Sequence, residues 1–161
     1  MAELKDLTYL SLRQNDIKQL PKLPSALSLR YIDLSQNRIN KIETFTFQNM
    51  PKLETLNLAQ NELKGKTPNE KWYSNYSLDG DSLSVGALYV DKTALVNLNI
   101  SHNKIERLEY SLLWQLEKLE SLDISHNQIS SMDLAGVENK NHLGSVHLDS
   151  VWKDVGQLRY L

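Results

Sequence analysis

The segment LRYIDLSQNRI, residues 29–39, has close counterparts at four other places in the chain: LTYLSLRQNDI at 7–17, LETLNLAQNEL at 53–63, LVNLNISHNKI at 95–105 and LESLDISHNQI at 119–129. All follow the template L-x-x-L-x-L-x-x-N-x-L, whose positions we number 1 to 11. Apolar residues at positions 4 and 6 alternate with polar ones, as in a strand buried on one face. A single unit cannot bury its apolar face, so the copies are expected to stack into a parallel sheet with a continuous core.

The asparagine at position 9 is expected to hold the stack together. A turn that leaves a parallel strand places backbone N–H and C=O groups inside the stack, where they need partners. An asparagine side chain supplies both a donor and an acceptor without burying a charge. The sequence therefore predicts a structural ladder of side chains from repeat to repeat: Asn15, Asn37, Asn61, Asn103 and Asn127.

Composition narrows the function classes. The 161 residues are 40% apolar and 24% charged, as in a typical single globular domain. A formal net charge of -2 argues against nucleic acid or an anionic membrane as partner. No apolar run is long enough to cross a membrane, and the N-terminal residues lack the features of a signal peptide. Because the chain has no cysteine, disulfides and thiolate chemistry are excluded.

The repeated pattern resembles the leucine-rich repeat family over nearly the whole chain. After the second copy, Ile42, Phe47 and Met50 also match the 24-residue repeats of secreted and cell-surface members, including arthropod immune proteins and Toll-like ectodomains. The resemblance implies an α/β leucine-rich repeat solenoid, shaped as a curved horseshoe. Its concave side would be a parallel β-sheet, and its convex segments would be mostly irregular or short helical.

The spacing between copies is irregular at one place, because 42 residues separate Leu53 from Leu95. The template can be laid on this gap with Tyr73 at position 1, and Asp81 then takes the ladder position. Ionised aspartate accepts hydrogen bonds but cannot donate them, so this rung would be weaker. We interpret the segment as a degenerate repeat, with an insertion over residues 72–84 as the alternative.

A seventh copy is predicted at Leu143, where Val151 replaces the expected asparagine. The residues that follow resemble the start of the C-terminal cap of extracellular family members, although Asp154 and Gly156 stand where that cap has cysteines. We therefore predict a single domain over residues 1–161, with repeats starting near residues 7, 29, 53, 73, 95, 119 and 143.

Ligand binding is predicted on the concave face, where positions 2, 3, 5, 7 and 8 face outward from the sheet. Tyrosine and arginine are favoured anchors of protein interfaces, and neighbouring strands bring residues of one column together. A tyrosine pair that only supports the sheet is the alternative at the N-terminal end. The candidate binding residues are Tyr9, Tyr31, Arg30, Asp33, Asn57, Asp123 and His147.

Two acceptor patterns for N-glycosylation occur, at Asn75 and at Asn99. Both asparagines are expected on the concave face in adjacent repeats. If the protein is secreted and both sites are occupied, the sugars would cover the centre of the sheet.

No catalytic, metal or cofactor site is predicted. His147 and Asp123 share one column with serines nearby, but no cleft or oxyanion donor is implied. His102 and His126 share position 8, where packing on the surface is a better interpretation than a metal site.

The predicted function is recognition of a protein ligand or co-receptor without catalysis. We expect a fragment of a longer secreted or cell-surface protein that acts in innate immunity or adhesion. An intracellular, cytoplasmic scaffold or effector-like binder is the alternative, since it would also explain the missing cysteines. Uncapped ends would expose core and sheet edges, which predicts self-association.

Overall fold

A computed structural model describes residues 6–43, 45–64, 94–108, 116–129, 131–132 and 145–147. Its main sheet has six parallel strands, which lie side by side in the order of the chain. These strands are β1 (Tyr9–Ser11), β3 (Tyr31–Asp33), β5 (Thr55–Asn57), β6 (Asn97–Asn99), β8 (Ser121–Asp123) and β10 (Ser145–His147). Each strand covers positions 3 to 5 of one repeat, so the predicted parallel-sheet solenoid is confirmed.

Where it is described, the opposite side of the solenoid has short strands and turns. Two-residue strands form two small parallel sheets there, β2 (Gln19–Leu20) with β4 (Lys41–Ile42), and β7 (Arg107–Leu108) with β9 (Ser131–Met132). In the second repeat, turns over residues 45–49 follow β4. None of the described residues lies in a helix, and none therefore forms a helix able to cross a membrane.

The core lies between the two sides and repeats the sequence template. Residues at positions 1, 4, 6 and 11 are almost fully buried in the second to fifth repeats, and Phe47 and Met50 fill the space towards the opposite side. The first repeat differs, because Leu7, Leu10, Leu12 and Ile17 are only partly buried. This repeat has a neighbour on one side only among the described strands, so each of its apolar residues keeps one face uncovered.

The position-9 asparagines form a ladder of hydrogen bonds inside the stack. The Nδ2 amide of Asn61 donates to the carbonyl oxygens of Leu58 and Ala59 in its own repeat, and to that of Leu34 in the preceding repeat. Its Oδ1 accepts the N–H of Ile39 at 2.9 Å. The same pattern recurs at Asn37, Asn103 and Asn127. Each buried side chain thus fastens two consecutive repeats.

The residue before each ladder asparagine has a left-handed backbone. Position 8 has φ values between 52° and 58° at Gln14, Gln36, Gln60, His102 and His126. A left-handed residue at this point turns the chain sharply out of the sheet, and the following asparagine satisfies the backbone groups that the turn exposes.

The structure corrects the predicted place of the repeat at Tyr73. Thr55 on β5 is paired directly with Asn97 on β6, and Leu58 donates its N–H to the Asn99 carbonyl oxygen at 2.7 Å. The ladder also passes straight from Asn61 to Asn103, because Leu63 donates its N–H to Asn103 Oδ1 at 2.9 Å. No strand or rung from the intervening segment can lie between these repeats. Residues 65–93, including Asp81, lie outside the described residues.

The strand expected for the last repeat is present. β10 is aligned with β8 so that Ser145 faces Ser121 and His147 faces Asp123, as a repeat starting at Leu143 requires. The cap predicted after it lies outside the described residues.

Candidate functional site

The concave face of the six-stranded sheet carries the predicted binding residues, and all of them except Arg30 at position 2 fall in two columns. Position 3 gives one column and position 5 gives the other, and the pairing of Tyr9 with Tyr31 and of Asp33 with Asn57 shows that neighbours in a column are true partners. Strands about 4.8 Å apart bring these side chains into contact. The face is therefore continuous from β1 to β10.

Tyr9 and Tyr31 form an aromatic pair at the N-terminal end of the concave face. Their rings are stacked, with centroids 4.6 Å apart and planes inclined by 7°. Tyr9 is 56% exposed, whereas Tyr31 is half-buried. The pair combines a large exposed apolar area with a fixed orientation, which suits it to hold a partner as well as to support the sheet.

The environment of Tyr31 raises the pKa of its hydroxyl above the ordinary value of 10.0. Partial burial is the largest cause, and the carboxylate of Asp33 adds to it. The folded protein thus favours the neutral phenol. This contribution to stability is intact below about pH 10 and is lost as the pH rises through the folded-state pKa.

We expect Tyr31→Phe to reduce the loss of stability at high pH. Between pH 8 and pH 11, the free energy of unfolding should fall further in the unmodified protein than in this variant, because only the former must ionise a partly buried phenol. Urea denaturation of both proteins across this range measures the difference. Tyr9→Phe is the matched control. Equal pH profiles for the Tyr31→Phe variant and the unmodified protein would contradict the assignment.

Arg30 belongs to an ion pair and is not an isolated charge. Its Nη1 contacts Glu54 Oε1, and both residues occupy position 2 of adjacent repeats. Both side chains are about half exposed, so the pair contributes little stability and remains accessible to a partner.

Position 5 has a structural role that the sequence reading missed. Asp33, Asn57, Asn99 and Asp123 each accept, through Oδ1, the N–H of the residue two places later, at 2.9 to 3.0 Å. These are Asx turns, which begin the sharp turn out of each strand. The signal was present in the sequence, because only side chains able to accept such a bond occupy this column in the five clear repeats.

A second charged column runs along the edge of the sheet at position 10. Arg38 Nε lies 3.4 Å from Asp16 Oδ1, and Lys104 Nζ lies 2.9 Å from Glu62 Oε2. The hydrogen bond from Lys104 lowers the pKa of the Glu62 carboxyl. From Asp16 to Lys104, the charges at position 10 therefore alternate between negative and positive. This alternation requires that the repeat containing Glu62 be the direct neighbour of the repeat containing Lys104.

His102 and His126 stack on each other at the same edge. Their ring centroids are 4.1 Å apart and the planes are inclined by 18°, and both residues are exposed. Lone pairs of imidazole nitrogens lie in the ring plane, so two nearly parallel rings do not direct them at a common ion. Among the described residues no group of three or more histidine, aspartate or glutamate side chains could hold a metal.

The centre of the concave face forms a shallow trough of about 330 Å³ across β3, β5, β6 and β8. Asn97 donates a hydrogen bond to Thr55 Oγ1 at 3.3 Å across its floor. The trough is lined by Tyr31, Thr55, Leu56, Asn57, Asn97, Leu98, Asn99, Ser121 and Asp123. Of this set, Tyr31, Asn57 and Asp123 were predicted from the sequence. Thr55, Asn97 and Ser121 were not, and they form one surface only when β5 and β6 are adjacent.

Three predicted site residues cannot be placed at side-chain level. Asn75 and Asp81 lie outside the described residues, so the expected pairing of Asn75 with Asn99 on adjacent strands has no counterpart in the sheet. His147 is placed on β10 opposite Asp123, and its side chain is outside the described part.

Known protein families include one whose repeats match this chain. A family model described as leucine rich repeat matches residues 27–72 and 90–134, and a second leucine rich repeat model matches residues 118–152. The first match leaves out residues 73–89.

Several relatives share the pattern. Nephrocan of Mus musculus is 30% identical over 152 residues, which is 91% of this chain and 29% of nephrocan. Lumican of Homo sapiens is 30% identical over 81% of this chain and 32% of lumican. The leucine-rich repeat serine/threonine-protein kinase 1 of Caenorhabditis elegans is 30% identical over 67% of this chain, but only 4% of that protein. The chain thus spans less than a third of each of these relatives.

A leucine-rich repeat protein of Leptospira interrogans has a similar solved structure. Its TM-score is 0.54 at 28% identity, with 90% of this chain and 38% of that chain covered. Most relatives are secreted, extracellular-matrix or cell-surface proteins, a setting that fits a protein-interaction module. The matched repeats cover more than half of the residues, and the chain therefore belongs to the leucine-rich repeat family.

Proposed function

We propose that the chain is a non-catalytic recognition module of a secreted or cell-surface protein, and that it binds a protein ligand or co-receptor on its concave face. The observation that carries this proposal is the stacked Tyr9–Tyr31 pair, which stands at one end of a continuous face of polar side chains. Exposed aromatic residues with few rotatable bonds are typical centres of binding energy. The extracellular relatives support the setting, and they give no support to the cytoplasmic alternative.

The absence of catalysis is part of the same proposal. The carboxylate of Asp123 accepts hydrogen bonds from both the N–H and the Oγ of Ser125, at 3.0 and 2.7 Å. Oδ1 of Asp123 is thus engaged in holding the turn that follows β8.

The proposal is tested by binding measurements with a panel of purified extracellular proteins. The panel should contain receptor ectodomains, adhesion proteins and microbial surface proteins, so that a positive member also separates adhesion from immunity. We expect Tyr9→Ala to weaken binding of the positive member by roughly thirtyfold, which corresponds to about 2 kcal/mol at a central interface residue.

The matched control is Leu27→Ala, because Leu27 is 49% exposed but lies outside the strands of the concave face. Its effect should stay within about twofold, as for a residue at the edge of an interface or beyond it. Equal losses for both variants, or binding that neither variant affects, would contradict recognition by the concave face.

Glycosylation decides whether the centre of this face is available. Asn99 is half-buried on β6, and Ser101 of its acceptor pattern is only 4% exposed and donates its Oγ–H to Asn99 Oδ1. We therefore expect Asn99 to be unmodified, whereas Asn75 stays a predicted acceptor. Peptide mapping by mass spectrometry of protein secreted from a eukaryotic host checks both sites. A glycan on most copies of Asn99 would show that the central face is covered.

Self-association through the edge of the sheet completes the proposal. Among the described strands β1 pairs only with β3, and the apolar residues Leu7, Leu10 and Leu12 beside it are partly exposed. Such an edge can pair with another chain. Sedimentation velocity over a range of concentrations should show dimers or larger species, and Leu10→Lys should reduce them. A single monomeric species at all concentrations would contradict self-association through this edge.

A further inference from the structure

We propose that the central trough of the concave face binds a neutral oligosaccharide carried by the extracellular partner. This inference rests on the proposed function, since it names the chemistry that one part of the same face would recognise. Outward side chains in the trough bear hydroxyl, amide and carboxylate groups: Tyr31, Thr55, Asn57, Asn97, Ser121 and Asp123. Among the described residues that line it, the aliphatic ones are Leu56 and Leu98, which are 0% and 2% exposed and belong to the core.

The polar groups of the trough are held in fixed positions. Oδ1 of Asn57, Asn99 and Asp123 is fixed by the Asx turns, which sets the direction of each side chain. Within the described residues, Nδ2 of Asn57 and Asn99 makes no hydrogen bond, nor does Oδ2 of Asp123. Two donors and one acceptor therefore stand in one column, about 4.8 Å apart. Neighbouring sugar hydroxyls both donate and accept, so they match such a row, and its rigidity lowers the entropic cost of binding.

Tyr31 supplies an aromatic wall at one end of the trough. Tyr9 covers one face of its ring, since the two rings are parallel within 7°. The other face is directed towards β5, where Thr55 and the trough lie. A pyranose ring has an apolar side formed by its C–H groups, which packs on an aromatic face while the hydroxyls reach the amides.

Charge selects a neutral ligand. No lysine or arginine is among the described residues that line the trough, whereas Asp123 contributes a carboxylate. Sulfated or sialylated sugars would therefore meet a negative charge without a compensating cation. A peptide is less well suited, because peptides are usually held by apolar side chains in pockets between strands or helices, and the floor here is closed by the buried core.

The length of the trough indicates the size of the ligand. From Tyr31 on β3 to Ser121 on β8 there are three strand intervals, or about 14 Å in total. This span suits a short oligosaccharide rather than a single sugar. Its volume of about 330 Å³ lies at the small end of ligand sites.

The first experiment uses the chain produced in bacteria, so that Asn99 carries no glycan. Screening an array of neutral, sulfated and sialylated oligosaccharides should give binding to neutral structures, and titration calorimetry then measures the affinity of the strongest one. We expect Asn97→Ala to weaken it about fivefold, the effect of one lost hydrogen bond, and Tyr31→Leu to weaken it about tenfold or more. Circular dichroism shows whether each variant is folded.

Asn40→Ala is the matched control for Asn97→Ala, since Asn40 is exposed and lies away from the concave strands. The affinity of this variant should remain within about twofold of the unmodified protein, because no ligand hydrogen bond is removed. Absence of binding to any neutral oligosaccharide at millimolar concentration would overturn the inference. Binding to charged sugars only, or equal losses for the variants at Asn97 and Asn40, would do the same.

A second experiment separates this inference from the proposed function. The protein partner found in the panel is treated with glycosidases, and its binding is compared before and after. Weaker binding after treatment, together with competition by the free neutral oligosaccharide, supports the inference. Unchanged binding, or displacement by a polar peptide and not by sugar, overturns it while leaving protein recognition by the concave face intact.

Discussion

Replacing Asn61 with alanine is expected to lower the free energy of unfolding by about 3–5 kcal/mol, since each buried backbone group left without a partner costs about 1–3 kcal/mol. Asn61 is buried and makes hydrogen bonds to Leu34, Ile39, Leu58 and Ala59, which belong to two repeats. A loss of this size is a large part of the stability of an ordinary domain. Chemical denaturation followed by circular dichroism measures it.

Asn15→Ala is the matched control for this prediction. Asn15 is exposed, and within the described part of the chain its Nδ2 donates to Leu12 and Arg13 of its own repeat alone, so its loss should cost about 1 kcal/mol or less. Asn61→Asp should fall between the two, because aspartate keeps the acceptor for Ile39 but loses the donor. Equal decreases in the free energy of unfolding for Asn15→Ala and Asn61→Ala would contradict the proposed role of the asparagine ladder.

The second large effect is expected in the core at the junction of β5 and β6. Leu56 and Leu98 are paired in the sheet and are 0% and 2% exposed. Each Leu→Ala substitution should lower the free energy of unfolding by about 2–5 kcal/mol, through lost apolar burial and the cavity left behind. Both should shift the same single transition, because neighbouring repeats unfold together.

Leu10→Ala provides the comparison at an equivalent position. Leu10 occupies position 4 of the first repeat but is only partly buried, so its truncation should cost about 1 kcal/mol, in keeping with a smaller loss of burial. Thermal and urea unfolding of the variants measure these differences. Two separate transitions, with Leu98→Ala affecting only one of them, would show that β5 and β6 do not share a core.

Residues repeated at one template position allowed the fold to be predicted from the sequence. Five asparagines at position 9 indicate a structural role that recurs in every repeat. The apolar residues at positions 4 and 6 identify the buried face of each strand. The order of the clear repeats in the sheet followed from the same pattern, except at the gap between Leu53 and Leu95.

A strand was wrongly predicted between β5 and β6 because the repeat template tolerates substitutions. Tyr73, Tyr76 and Leu78 fit the apolar positions, yet such a fit says nothing about which strands share hydrogen bonds. Two features of the sequence favoured the insertion. Asp81 lacks the donor that every other rung uses, and the alternation from Glu62 to Lys104 is maintained only when the 42-residue step is a single turn.

The candidate site was predictable in part. The Tyr9–Tyr31 pair follows from two aromatic residues in one column, and the Arg30–Glu54 ion pair could have been found in the same way. The trough was not predictable, because Thr55 and Asn97 are far apart in sequence and were assigned to repeats separated by another strand. Local hydrogen bonds at position 5 also convert residues that looked like free ligands, such as Asp33, into parts of the turn.

Both the continuous concave face and the trough depend on the adjacency of β5 and β6. The chain has no cysteine, so a pair introduced by Thr55→Cys and Asn97→Cys can be tested without background. These residues are direct partners in the sheet. Neighbouring strands lie about 4.8 Å apart, within the Cα separation of about 4.4–6.8 Å that a disulfide spans.

Mild oxidation followed by intact mass and thiol titration is the deciding measurement. We predict that the Thr55→Cys/Asn97→Cys pair forms a disulfide as completely as Tyr31→Cys/Thr55→Cys, which joins two strands adjacent in any arrangement of the repeats. Thr55→Cys/Ser121→Cys, two strands apart, should keep both thiols. If the pair at Thr55 and Asn97 keeps its thiols as this last pair does, another strand lies between β5 and β6 and the account is contradicted.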